Sequence, residues 1–248
     1  MSGRLDWLIA RPVAHRGLHD TQRNIIENTP SAFAAAVASG YGIECDLQVS
    51  ADGEAMVHHD DALGRLTEGN AALATMTAAE LRRVAFKATS DHMISLGELC
   101  DLVAARVTLV IELKSGRAGD TRLPDRAAAV LSGYKGPAAL MSFDPAQIAC
   151  VRNRAPHLTR GLVAESAPAK LGGNLLARTQ LALAYGRDAL AARPQFIAYS
   201  VKDLPAALPL LGRYLRGMPL LTWTVRSDAD RQSAARWADQ MIFEGFRP

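Results

Sequence analysis

Short apolar runs alternate with longer, helix-like stretches along almost the whole chain. Nine runs read as strands: Val13–Gly17, Gly42–Val49, Ala55–His59, Thr108–Lys114, Ala138–Phe143, Gly161–Ala164, Phe196–Val201, Leu220–Val225 and Gln240–Phe243. They are short, rich in Val, Ile and Leu, and mostly lack polar alternation, as strands covered on both faces of a parallel sheet do. The helices between them have recognisable ends. Thr29-Pro30 offers an N-cap followed by a first-turn proline, and Gly40 stands just past the end. Within that helix Phe33 and Val37 lie one turn apart on one face. Thr77 to Glu80 and Ser95 to Glu98 both fit the capping box ahead of apolar residues. Further helices are predicted over 121–132, 145–153, 177–190, 203–214 and 228–237.

Strand–helix alternation from end to end points to an α/β fold. A TIM-type (β/α)8 barrel uses about 250 residues, so one barrel domain over 1–248 would take the whole chain. It needs eight strands, and nine are present. The surplus is expected beside Ser50 to Gly53, a turn too short for a parallel crossover. One segment next to it should be a hairpin arm, and 60–94 an insertion at the same end. The expected architecture is therefore a (β/α)8 barrel with a hairpin and small insertion over about 50–94, after the second strand region.

Composition narrows the classes. The chain is 49% hydrophobic and 21% charged, which suits a globular core. A net charge of +3, with no Lys/Arg block and no aromatic-rich basic stripe, gives no reason to expect a nucleic-acid partner. Cys45, Cys100 and Cys150 are far apart and lack ligand spacing, so they read as buried small residues in a reducing compartment. The first eleven residues lack an apolar stretch with a cleavage site, and no run approaches ~18 apolar residues. Cytoplasmic residence without a stable membrane anchor is the default expectation, and the oligomeric state is left open. There is no Walker A sequence and no G-x-G-x-x-G fingerprint. The glycine-rich stretch Leu171 to Asn174 reads as a loop.

Four clusters carry candidate chemistry, each at the end of a predicted strand, where barrel enzymes place their reactive groups. His15-Arg16-Gly17 follows the first strand, its glycine suited to a turn close to a ligand. Taken alone, such a histidine is more often structural or solvated. Glu44 and Asp46 share one strand face while Cys45 points the other way. Two carboxylates on an apolar strand repel and are poorly solvated, a cost that a divalent cation removes; an exposed edge strand is the plainer reading. Of His58 and His59 only one can enter a given site, and the downstream position favours His59. Glu112 and Lys114 share a face at the end of a very apolar strand, either as a third carboxylate with a phosphate-binding cation or as an ordinary surface pair. Together the clusters are coherent: Glu44, Asp46 and Glu112 for a metal, Arg16 and Lys114 for an anion, His15 and His59 to move protons.

In this order the clusters resemble the glycerophosphodiester phosphodiesterase family, a branch of the phospholipase-C-like phosphodiesterase barrels. The matching residues are His15-Arg16-Gly17, Glu27-Asn28-Thr29 with Ala32-Phe33, Gly42 to Asp46, Asp52-Gly53, His59-Asp60, Leu63 to Thr67 and Glu112-Leu113-Lys114. Ser142-Phe143-Asp144 and Trp223-Thr224-Val225 extend the match. The resemblance implies metal-dependent hydrolysis of a small phosphodiester to sn-glycerol 3-phosphate and an alcohol, with one divalent cation, Mg²⁺ or Ca²⁺. It implies His15 and His59 as acid and base, Glu44, Asp46 and Glu112 as metal ligands, and Arg16 and Lys114 as phosphate contacts. Trp223 joins these as a substrate contact. Asn28 is expected to order the loop after the first strand, and Glu27 is not counted as a ligand. Two positions depart from the family. Ile26 stands where a proline usually precedes Glu-Asn-Thr, and Phe243 to Pro248 replaces a Thr-Asp-x-Pro ending. Glu244 either takes the acid's place or that role is lost. No helix follows the last strand in this sequence, which places the closing contacts of the barrel in question.

Two other readings remain. A lysophospholipase D or sphingomyelinase-D-like enzyme would share the site and line a lipid groove with Leu63, Leu66, Leu73, Met76, Leu81, Val84 and Phe86, although such spacing more often means packing. A non-catalytic binding protein on the same barrel would keep the fold alone; against it, every group the chemistry needs is present.

Overall fold

The structure is a computed structural model in which residues 5–115, 119–166, 187 and 189–248 are described. Eight parallel strands close into a ring. In order round it they are β1 (Val13–Ala14), β2 (Gly42–Val49), β4 (Leu109–Leu113), β5 (Ala138–Ser142), β6 (Thr159–Ala164), β7 (Phe196–Ser200), β8 (Leu220–Val225) and β9 (Gln240–Phe243), which returns to β1. The ninth segment, β3 (Ala55–Val57), pairs antiparallel with β2 from Leu47↔Val57 to Val49↔Ala55, outside the ring. It is the hairpin arm that the Ser50 to Gly53 turn requires.

Helices cover the ring: α2 (Pro30–Ala38), α4 (Leu96–Val103), α5 (Arg122–Gly133), α6 (Pro145–Arg154), α7 (Ala207–Arg216) and α8 (Asp228–Trp237). The helix predicted over 177–190 and the stretch Leu171 to Asn174 fall largely or wholly outside the described residues; residues 189–192 are helical. Both capping boxes form, at α4 and at the short α3 (Ala78–Leu81) of the insertion. Thr29 departs from expectation: its hydroxyl donates to the Ile26 carbonyl at 2.7 Å rather than capping α2.

Strand alternation sorts side chains into two cores. Ile43, Cys45, Leu47, Ile111, Leu113 and Leu140 pack outward against the helices. Val13, Val110, Val163, Phe196, Leu221 and Ile242, from six ring strands, fill the interior. The sequence reading missed what closes the lower end, the four-residue helix α1 (Asp6–Ile9). Its Leu8 is fully buried in the interior cluster, and its carbonyls accept from Thr108 and Gln240 at the strand starts. Burying a leucine contributes about 1.5–3 kcal/mol. Cys45 and Cys100 are buried as expected, but Cys150 is only half-buried.

The insertion has its own small core of Met56, Leu63, Leu73, Leu81, Phe86 and Met93, with Leu66, Met76 and Val84 packed on it. All seven residues that a lipid groove would need are therefore engaged in packing. The last strand closes the ring: β9 pairs with both β8 and β1, and Phe246 packs at a tilt against Phe243.

Candidate active site

The first strand is shorter than predicted because the chain leaves the sheet at Arg16 (φ 55°) and Gly17 (φ 82°). Both are left-handed, a conformation that suits glycine and strains arginine. A Cβ on Gly17 would lie 2.9 Å from Ala32, so the close approach that needs glycine is to helix α2 rather than to a ligand. The turn aims the Arg16 backbone N–H at Glu44 Oε2, 2.9 Å away.

Glu44 and Asp46 of β2 and Glu112 of β4 are all buried, and one oxygen from each lies within 4.8 Å of the others. Parallel register sets Asp46 beside Glu112, and alternation brings Glu44 to the same face. The three differ electrostatically. Burial, then repulsion by Asp46 and Glu112, pushes the Glu44 carboxyl well above its ordinary range. Burial, then Asp46, raises Glu112 as well. Burial also opposes ionisation of Asp46, but Lys114, Arg16 and His59 outweigh it and hold that carboxyl at about 2. Asp46 thus carries the negative charge while its neighbours favour the neutral form. A compact set of hard oxygens in which two carboxyls resist ionisation suits a divalent cation, which would stabilise all three as carboxylates.

The two predicted phosphate contacts are already engaged by these acids. Lys114 Nζ sits 2.8 Å from Asp46 Oδ1 and 2.6 Å from Glu112 Oε1. Arg16 Nη1 donates to Glu27 Oε1 at 2.7 Å, while its Nε makes an unaligned ion pair with Asp46 at 3.2 Å. Asn28 orders the loop, as expected, by donating its backbone N–H to the Arg16 carbonyl. It does more than that: its Nδ2 donates to Asp46 Oδ2 at 2.9 Å.

Each histidine meets a carboxylate at Nδ1, and each carboxylate meets an arginine. His15 Nδ1 is 2.7 Å from Glu244 Oε2, which accepts from Arg226 Nη2 at 2.8 Å. His15 Nε2 lies 4.0 Å from Glu44. Burial lowers the His15 pKa, with Glu244 opposing. Burial likewise opposes ionisation of Glu244, yet His15 and Arg226 hold it at about 2. His59 Nδ1 is 2.8 Å from Asp60 Oδ1, and Arg65 Nε donates to Asp60 Oδ2 at 2.7 Å. His58 is buried and packs edge-on to Phe86. Glu27, outside the carboxylate trio, accepts from Arg16 and Arg65 through one oxygen, 2.7 Å from each.

Trp223, in the second half of β8, meets Phe143 edge-on, with ring centroids 5.4 Å apart and planes at 82°. Its indole N–H is buried, with no hydrogen-bond partner among the described residues. Phe143 also borders a cleft of about 550 Å³ lined by Glu112, Lys114, Ser115, Ser142 and Asp144. Ser142 and Asp144 serve the turn: one donates to the Leu113 carbonyl and the other caps α6. Arg226, Arg65, Asp60 and Glu27 were not assigned roles from the sequence. Asp60 and Arg65 lie within the quoted motifs, but the contacts that define them are side-chain contacts made only in the fold.

A closed (β/α)8 ring with its titratable groups gathered at the C-terminal ends of the strands is the arrangement of a TIM-barrel enzyme. Within that class the chain belongs to the glycerophosphoryl diester phosphodiesterase family, whose model matches residues 15–246. A glycerophosphodiester phosphodiesterase from Caldanaerobacter subterraneus subsp. tengcongensis is 30% identical over 161 residues, 61% of this chain and 65% of that one. A probable glycerophosphodiester phosphodiesterase 1 from Mycobacterium tuberculosis is 28% identical over 178 residues, 62% and 64% of the two chains. The chain therefore spans just under two thirds of the length of these relatives. Among solved structures, a phosphodiesterase from Oleispira antarctica in complex with the product sn-glycerol-3-phosphate superposes with a TM-score of 0.76 at 18% identity, covering 93% of this chain and 91% of that one. The glycerophosphodiester phosphodiesterase of Thermotoga maritima gives 0.71 at 20%, covering 94% of each. At those identities the likeness is one of fold. No helix among the described residues is long and apolar enough to cross a membrane.

Proposed function

We propose that this chain hydrolyses glycerophosphodiesters to sn-glycerol 3-phosphate and an alcohol, using a divalent cation, Mg²⁺ or Ca²⁺. One observation carries the reading: Glu44, Asp46 and Glu112 bring oxygens within 4.8 Å of one another, with His15 4.0 Å from Glu44 and Lys114 on two of the three. Family membership, the names of the relatives and the product bound by the Oleispira protein support the substrate class.

Glu44, Asp46 and Glu112 are the metal ligands in this reading. When bound, the cation supplies Lewis-acid stabilisation of charge on the phosphoryl group. Arg16 and Lys114 bind non-bridging phosphate oxygens and stabilise the charge that builds there. Each already faces Asp46, so a bound phosphate and the carboxylates share the same cations. One of His15 and His59 takes a proton from the nucleophile, and the other gives one to the leaving alcohol. The nucleophile is either the substrate's own 2-hydroxyl, through a cyclic phosphate that water then opens, or water directly. Trp223, packed edge-on against Phe143, contacts the substrate.

The test is turnover of a panel of glycerophosphodiesters and one long-chain lysophospholipid, with each divalent metal and after EDTA treatment and dialysis. Activity should be confined to the deacylated substrates and lost on chelation. Full activity in the chelated protein would remove the metal from the mechanism, and preference for the lysophospholipid would move the chain to another substrate class.

A further inference from the structure

The barrel closes at a seam between its first and last strands. There the His15 N–H donates to the Phe243 carbonyl at 2.9 Å, and on the other edge of β9 the Glu244 N–H donates to the Val225 carbonyl of β8 at 3.0 Å. Both residues therefore stay in line with β1 and β9 for one more step. They stand two positions beyond Val13 and Ile242, which are interior residues, so their side chains enter the mouth of the barrel.

Glu244 Oε2 receives two partners, His15 Nδ1 at 2.7 Å and Arg226 Nη2 at 2.8 Å. A carboxylate oxygen and a bare ring nitrogen are both acceptors, so the first contact needs the proton on Nδ1. Nε2, on the Glu44 side of the ring, then bears the lone pair of the neutral histidine. The same order of arginine, carboxylate and Nδ1 recurs at His59, Asp60 and Arg65, from different strand ends. Glu244 is not one of the three acids that could share a metal ion. A glutamate has one more rotatable bond to immobilise than the aspartate expected at this point of the chain. Arg226 supplies the second anchor that fixes it.

We propose that Glu244, braced by Arg226, is a positioning residue that acts through His15. It holds the ring as the Nδ1–H tautomer and turns Nε2 towards the three carboxylates. The proposal rests on His15 being an acid–base group of the reaction above.

The test uses the full chain with E244Q, E244A, E244D and R226Q. Glycerophosphocholine turnover is measured with Mg²⁺ or Ca²⁺, and the His15 ring is followed by ¹⁵N NMR, its signals assigned by their loss in H15N. The wild-type ring should be the Nδ1–H tautomer. In E244A Nδ1 loses its acceptor, so the Nδ1–H form should give way to a mixture of tautomers and kcat should fall about 10–100-fold with little change in KM. In E244Q, Arg226 keeps the amide oxygen in the shared position, so the tautomer should persist while kcat falls with the lost charge. E244D should regain part of kcat and the Nδ1–H signature, and R226Q should fall less than E244Q. An unchanged tautomer or an unchanged kcat in E244A overturns the proposal. If E244A fails to fold, E244L, closer in size to glutamate and also without an acceptor, decides in its place. A wild-type protein that turns over no glycerophosphodiester overturns the proposed function only, because the ring signature is read without substrate.

Discussion

The two ends of the barrel interior are built from the same strands, two residues apart, and obey opposite rules. At the floor, Val13, Val110, Leu221 and Ile242 meet Leu8 in an apolar plug. Two positions further along stand His15, Glu112, Trp223 and Glu244. The floor gains stability from every group it buries. The rim buries carboxylates whose charge is only partly compensated, since Glu44 and Glu112 are both driven towards the neutral form. Apolar packing is thus concentrated at one end of the interior and the candidate site at the other. Substitutions at the two ends should fail in different ways.

The largest effect is expected at the rim. H15A or H59A should lower kcat by about 10²–10⁴-fold while leaving the melting temperature nearly unchanged, as steady-state kinetics and calorimetry can show. A near-normal rate in either variant would remove that histidine from the mechanism. At the floor, L8A should cost about 2–5 kcal/mol in urea unfolding, with kcat per folded molecule preserved. A smaller effect separates the two ends by pH. Because the folded protein holds Glu44 and Glu112 protonated above their ordinary range, the chelated protein binds more protons folded than unfolded there. Its stability should decline as pH rises above the ordinary glutamate range, about 4.3. Asp46 has the opposite sign: its contribution is present above the ordinary aspartate value and lost as pH falls towards about 2. E44Q should flatten the decline and stabilise the chelated protein, and a slope unchanged by E44Q would show that the rim is not strained. The smallest effect is expected at Cys45. It lies between two acids in sequence yet faces the helices, so C45A should cost about 1 kcal/mol and leave kcat within about two-fold.

Much of this contrast is legible in the sequence because a strand has period two. Alternation alone separates Cys45 from Glu44 and Asp46, and strand ends select His15 and Glu112. The surplus strand was also readable, since four residues cannot make a parallel crossover. What the sequence hid are the contacts that only closure creates. His15 meets Glu244 across 229 positions, and Arg65 meets Glu27 across 38. Asn28 looked like a loop residue because nothing local announces its hydrogen bond to Asp46. Helix α1 was missed because four residues carry too little periodicity to register, and only the floor that it closes shows its purpose.

The seam between β1 and β9 also makes the site a late event in the life of the chain. Sheet and helices can assemble outward from β2, β4 and β5 through contacts between near neighbours, whereas His15 has no Glu244 until the final strand docks. Loop-closure entropy delays contacts of such sequence separation. On the role proposed for Glu244, full activity should report the joining of the first strand to the last, and a refolding chain should be largely structured before it reaches its full rate.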